Sequence, residues 1–122
     1  MVRLKLAKRP IDSNNIFLFH KTTNRRVYEE AKKDVKKCDD VILYNEREEL
    51  TETTIANLYV EVDGSLLTPP LDCGLLPGAF RASMLSKRAA FERVLYKEDL
   101  LASNNIFIGN SLRGLQKALL YF

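Results

Sequence analysis

Residues 55–68 read "IANLYVEVDGSLLT". Leu58, Val60 and Val62 alternate with Tyr59 and Glu61, the period of a strand with one buried face. Asp63-Gly64 then separates two apolar runs, and glycine tolerates the positive φ of a tight turn. The stretch therefore predicts a β-hairpin, with strands at 55–62 and 65–68.

Working outward from the hairpin, Val2, Leu4 and Leu6 alternate with Arg3 and Lys5, which predicts a first strand ended by Pro10. "IFLFH" (16–20) reads as a second strand and "DDVILYN" (39–45) as a buried one. Between them, Val27, Ala31 and Val35 recur every four residues, one face of an amphipathic helix over 22–37. Its polar side carries an attractive pair, Glu29–Lys33, and a repulsive one, Glu30–Asp34. "EREEL" (46–50) reads as a turn, "AFRASMLSKR" (79–88) as a helix, "FERVLY" (91–96) as a strand, "KEDLLAS" (97–103) as a short helix and "NIFIGN" (105–110) as a strand. "SLRGLQKALLYF" (111–122) reads as a turn and a closing helix. Helices mixed with strands and hairpins predict an α/β (α+β) class, a mixed β-sheet with flanking helices.

The composition fits one globular domain over residues 1–122: 46% hydrophobic, 29% charged, net charge +3. "KKDVKK" (32–37) is interrupted by Asp34 and reads as a solvated helix face, so no nucleic-acid partner is expected. Two cysteines and one histidine are too few for a structural zinc site. No apolar run approaches the roughly 20 residues of a membrane span, so no membrane partner is expected. "MVRLKLAKRP" is too polar for a signal core, and two cysteines without a signal peptide fit a reducing compartment, so the expected location is cytoplasmic.

Four places could carry chemistry. The apolar run Phe17–His20 delivers Lys21 to the start of a polar turn. Lys21 is either a solvated strand-end lysine or a nucleophile whose amine is freed by burial and by the neighbouring Arg25 and Arg26. Glu52, among threonines, either caps backbone amides or holds a protonated heterocyclic nitrogen. "GLLPGAFRA" places a glycine before a helix start, where free N–H groups and the helix dipole make an anion seat. "IGNSLRGL" ends a strand with Asn110, Ser111 and Arg113, either plain turn chemistry or a second donor set. Singly, none decides. Together they are the parts of a pyridoxal phosphate site, where an aldehyde needs an amine, a ring nitrogen an anion, and a phosphate N–H donors.

With these motifs in order, the chain resembles the C-terminal half of the class IV (fold type IV) pyridoxal-phosphate enzymes, over about Phe17 to Leu120. That family includes aminodeoxychorismate lyase and the branched-chain and D-amino-acid aminotransferases. "HKTTNR" resembles the segment with the Schiff-base lysine, which implies that Lys21 is catalytic. "LTETTIANLYV" is similar to the family's E-x-x-x-A-N segment, which implies that Glu52 contacts the pyridine nitrogen. "GAFR" implies that the Ala79 and Phe80 N–H groups bind phosphate, and "NSLRG" that Ser111 adds a hydroxyl contact. Arg25 would lie near the cofactor's phenolic oxygen. "HKTT", "LTPPLDCGLLPG" and "NSLRGL" look most like the lyase-type domains, often fused behind the synthase that makes aminodeoxychorismate.

The resemblance implies a lyase that forms 4-aminobenzoate and pyruvate for folate synthesis. Alternatives are a branched-chain or D-amino-acid aminotransferase domain and a non-catalytic cofactor- or partner-binding domain. The expected partners are a small-molecule substrate, aminodeoxychorismate or an amino acid, and a second copy or a separate N-terminal half. Family members have such a half, which supplies a further phosphate ligand and substrate contacts, and it is absent from these residues.

Overall fold

The computed structural model describes residues 1–14 and 26–121. Its strands are β1 (Val2–Leu6), β2 (Asp40–Tyr44), β3 (Leu50–Thr53), β4 (Asn57–Val62), β5 (Ser65–Thr68), β6 (Phe91–Glu92), β7 (Asn105–Asn110) and β8 (Gly114–Leu120). They form one sheet in the order β3-β2-β1-β8-β7-β4-β5-β6, and β3 also pairs with β4. That extra pairing closes β3, β2, β1, β8, β7 and β4 into a circuit, from which β5 and β6 extend. One edge of β4 runs along β7 from Asn57 to Glu61. The other edge is shared: Asn57 faces Glu52 of β3, and Val60–Val62 face β5.

Parallel neighbours need crossovers, and helices supply them. Helix α1 (Arg26–Lys33) lies in the connection between the parallel pair β1 and β2, and α2 (Ala79–Ser86) in that between the parallel pair β5 and β6. A third helix, α3 (Lys97–Ala102), precedes β7. The sheet is mixed and flanked by helices, as the element pattern predicts.

Two apolar clusters share β2. Ile42 belongs to the larger one, with Leu4, Leu50, Leu58, Val60, Ile108 and Ala118. Its neighbours Val41 and Leu43 point the other way, onto Tyr28, Val35, Ala7 and Ile11. The Val27–Ala31–Val35 stripe packs on this second cluster, as its spacing predicts. Each fully buried aliphatic side chain stabilises the fold by about 1.5–3 kcal/mol. Among the described residues no helix is long and apolar enough to cross a membrane.

The predicted hairpin forms, with Val62 opposite Ser65 and both turn residues at positive φ, Asp63 at 52° and Gly64 at 82°. Several expectations are corrected. The closing helix is strand β8, antiparallel to β7 and joined to it by a turn with Gly114 at φ 67°. Alternation decides: Ala118 is buried and Leu120 packs on the main cluster, while Leu115 and Leu119 are exposed. A helix would have gathered Leu112, Leu115 and Leu119 on one stripe, and those are the exposed leucines.

Helix α1 ends at Lys33, not Lys37, where Lys37 turns the chain at φ 63° into β2. The expected Glu30–Asp34 repulsion is relieved by arginines, Arg26 on Glu30 at 3.1 Å and Arg9 on Asp34 at 2.7 Å. The 91–96 strand shrinks to Phe91–Glu92, although Leu95 beyond it is fully buried and its carbonyl accepts the Leu50 N–H at 2.7 Å. The "EREEL" turn stops one residue short, because Leu50 opens β3. The strand expected at 16–20, and residues 22–25 of the first helix, lie outside the described residues.

Candidate functional site

Glu52 sits within β3, the short strand that precedes β4. Its register partner across the β3–β4 turn is Asn57, which puts both side chains on the same side of the hairpin. The E-x-x-x-A-N spacing thus encodes a short hairpin. The turn is pinned by Thr53, whose N–H and hydroxyl both donate to the Ala56 carbonyl at 2.9 Å, while its hydroxyl accepts the Ala56 N–H at 3.0 Å. Buried Asp40, at the head of β2, accepts the Thr54 hydroxyl at 2.6 Å and the Thr54 N–H at 3.3 Å. Local chemistry, not apolar burial, fixes where Glu52 points.

Glu52 is only 4% exposed. Among the described residues it accepts hydrogen bonds from α1, β4 and the loop before α2. Tyr28 Oη of α1 donates to Oε2 at 2.9 Å, the Leu76 N–H donates to Oε2 at 3.2 Å, and Asn57 Nδ2 donates to Oε1 at 3.5 Å. Both carboxylate oxygens act as acceptors.

Asn57 links this carboxylate to the start of α2. Its Nδ2 also donates to the Leu76 carbonyl at 3.2 Å, and a Cβ at Gly78 would stand 2.5 Å from its Oδ1. Only glycine lets the chain pass so close before α2 begins. Gly78 is the N-cap of α2 and offers no side-chain cap, so no side chain of the cap residue covers the first-turn amides, which include those of Ala79 and Phe80. The Phe80 ring packs edge-on against Tyr59 of β4, centroids 6.3 Å apart. It also lies over Gly109 of β7, where a Cβ would come within 2.7 Å of it. Burial pushes the Tyr59 hydroxyl up to about 12.

Ser111 lies exposed in the β7–β8 turn, two residues beyond Gly109. The preceding Asn110 donates to the Ile55 carbonyl at 3.2 Å and accepts the Arg113 N–H at 2.9 Å, tying that turn to the β3–β4 turn. The structure thus gathers Glu52, Asn57, Gly78 and the Ala79–Phe80 amides. Among the described residues no hydrogen bond joins Ser111 to them. Lys21 and Arg25 lie outside the described residues. Sequence reasoning missed Tyr28 and Asn57 as partners of Glu52. Asn57 carried a signal, since asparagine is unfavourable inside a strand. Tyr28 carried none, being one more large residue beside the apolar stripe.

A buried carboxylate fits a protonated ring nitrogen, and an uncapped helix start behind a space-sparing glycine fits a phosphate. The described residues therefore suit two of the three demands of pyridoxal phosphate. The chain belongs to the family described as Amino-transferase class IV, which matches residues 2–120. It is 34% identical to the "Putative aminodeoxychorismate lyase" of Schizosaccharomyces pombe, over 96% of this chain and 54% of that protein. A solved "Putative amino-acid aminotransferase" from Mesorhizobium loti superposes with a TM-score of 0.94 at 44% identity, over 99% of this chain and 60% of the other. A "Putative 4-amino-4-deoxychorismate lyase" from Legionella pneumophila superposes with a TM-score of 0.89 at 28% identity, over 98% of this chain and 47% of the other. The chain thus spans about half the length of these relatives, between 47% and 60%.

Proposed function

We propose that this chain is the cofactor-binding part of a pyridoxal-phosphate-dependent 4-amino-4-deoxychorismate lyase, releasing 4-aminobenzoate and pyruvate in the cytoplasm. The observation that carries the reading is Glu52, buried and held by donors from α1, β4 and the loop before α2. When bound, the cofactor supplies an electron sink for charge developing at the substrate α-carbon. Glu52 keeps the ring nitrogen protonated, which strengthens that sink. The Ala79 and Phe80 N–H groups and the Ser111 hydroxyl hold the phosphate. Lys21 anchors the cofactor aldehyde and takes the substrate α-proton, and Arg25 offsets charge on the phenolic oxygen. A second copy or a separate N-terminal half completes the substrate side.

An aminotransferase is the second reading, favoured by the 44% identity to the Mesorhizobium loti protein. The two differ in one reactant, because transamination needs a keto-acid acceptor and the lyase needs none. The first test is visible absorption after adding pyridoxal phosphate, with Lys21→Ala beside the parent. A band that survives desalting in the parent and vanishes in the variant supports the cofactor reading. No band in the parent overturns it for this chain alone. Pyruvate release from aminodeoxychorismate without added keto acid then separates lyase from aminotransferase.

A further inference from the structure

The shortest hydrogen bond that the described residues give Glu52 comes from Tyr28, on a different element from Asn57 and Leu76. We propose that Tyr28 is a positioning residue: its hydroxyl, held by the packing of α1 on β2, fixes the orientation of the Glu52 carboxylate and so sets how firmly a ring nitrogen is held there. The inference rests on the cofactor reading only for the ligand, and its geometric part stands alone.

Three observations carry it. Tyr28 is 4% exposed and belongs to the cluster with Val41 and Leu43, so its ring has little freedom to swing away. Its Oη meets Oε2 at 2.9 Å, and the Leu76 N–H meets the same oxygen at 3.2 Å. One donor comes from α1 and the other from the loop before α2, so the carboxylate is gripped between two elements. A further donor, Asn57 Nδ2, is longer at 3.5 Å and meets the other oxygen, Oε1, so it does not take the place of Tyr28 at Oε2.

The arrangement has a consequence along the chain. Helix α1 follows the "HKTTNRR" segment directly in sequence. A displacement of α1 would therefore reach Glu52 through Tyr28.

The variant is Tyr28→Phe, which keeps the ring in its apolar setting and removes only the donor. Two readings are taken on the whole chain. In cofactor-free protein carrying 13C-carboxyl glutamate, the Glu52 resonance is identified by its loss in Glu52→Gln. It should move in Tyr28→Phe while the other glutamate resonances stay in place. In a titration with pyridoxal phosphate, the dissociation constant should rise about tenfold, the size expected for losing one hydrogen bond to a charged group. An unmoved Glu52 resonance overturns the proposal, whatever the titration gives. A moved resonance with unchanged affinity overturns the link to the cofactor and keeps the geometry. If the parent takes up no cofactor, the cofactor reading fails, and the resonance alone decides for or against Tyr28.

Discussion

Strands β4 and β7 have two faces, and the two faces obey different physics. Leu58, Val60, Ile106 and Ile108 turn inward to the main apolar cluster. Asn57, Tyr59 and Gly109 turn the other way, toward α2. The inner face needs volume and apolarity, and its neighbours touch without direction. The outer face needs particular atoms: an amide that spans Glu52 and Leu76, and glycines that admit Asn57 and the Phe80 ring. Stability is built on one side of a strand and, under the proposed function, ligand geometry on the other, within one residue of each other.

Leu58→Ala should have the largest effect. Leu58 is fully buried on a strand paired along both edges. The lost transfer energy plus the cavity should cost about 2–5 kcal/mol. Denaturant melts measure this directly, and the slope of the transition should be unchanged. In conditions where the variant is still folded, cofactor uptake should match the parent. Weaker uptake by fully folded variant would break the separation of the two faces.

Gly78→Ala tests the outer face. The backbone at φ −65° and ψ 143° accepts alanine, so strain is not at issue. The new Cβ would meet Asn57 Oδ1 at 2.5 Å and must push the amide aside. We expect a cost of roughly 1–3 kcal/mol from overpacking. Cofactor uptake should fall with it, because the displaced amide bridges Glu52 to the helix start. Equal uptake with lower stability would show that Asn57 packs the site without shaping it.

What could be read from the sequence follows the same division. Period-2 patterns exposed the inner face of β1 and β4, the Asp63-Gly64 turn marked β5, and apolar runs marked β2 and β7. The motif stretches marked Glu52 and the helix start before any contact was visible. The last strand was not legible, because "LQKALL" satisfies a helical period and only its antiparallel pairing with β7 selects alternation. The short β3 was hidden because its buried polar residues Thr51 and Thr53 do not alternate apolar with polar. The Tyr28–Glu52 bond joins residues 24 apart through the packing of α1 on the sheet, which no local pattern records.

The smallest expected effect lies away from both faces and serves as their control. Ser13 donates its hydroxyl to Glu46 Oε2 at 2.6 Å and its N–H to Oε1 at 2.8 Å, tying the chain after β1 to the turn after β2. These two bonds, with Arg47 beside them, hold the Glu46 carboxyl down at about 2, against an ordinary 4.5. A folded-state value below the unfolded one contributes stability above about pH 4.5, and that contribution is lost as pH falls toward about 2. Ser13→Ala lets the carboxyl return toward its ordinary value. The variant should therefore be slightly less stable than the parent at pH 7 and converge with it near pH 2, as read from urea midpoints across that range. Because Glu46 is exposed, the gap should be the smallest of the three. A gap that persists unchanged to pH 2 would mean that Ser13 acts through packing, with the Glu46 charge playing no part.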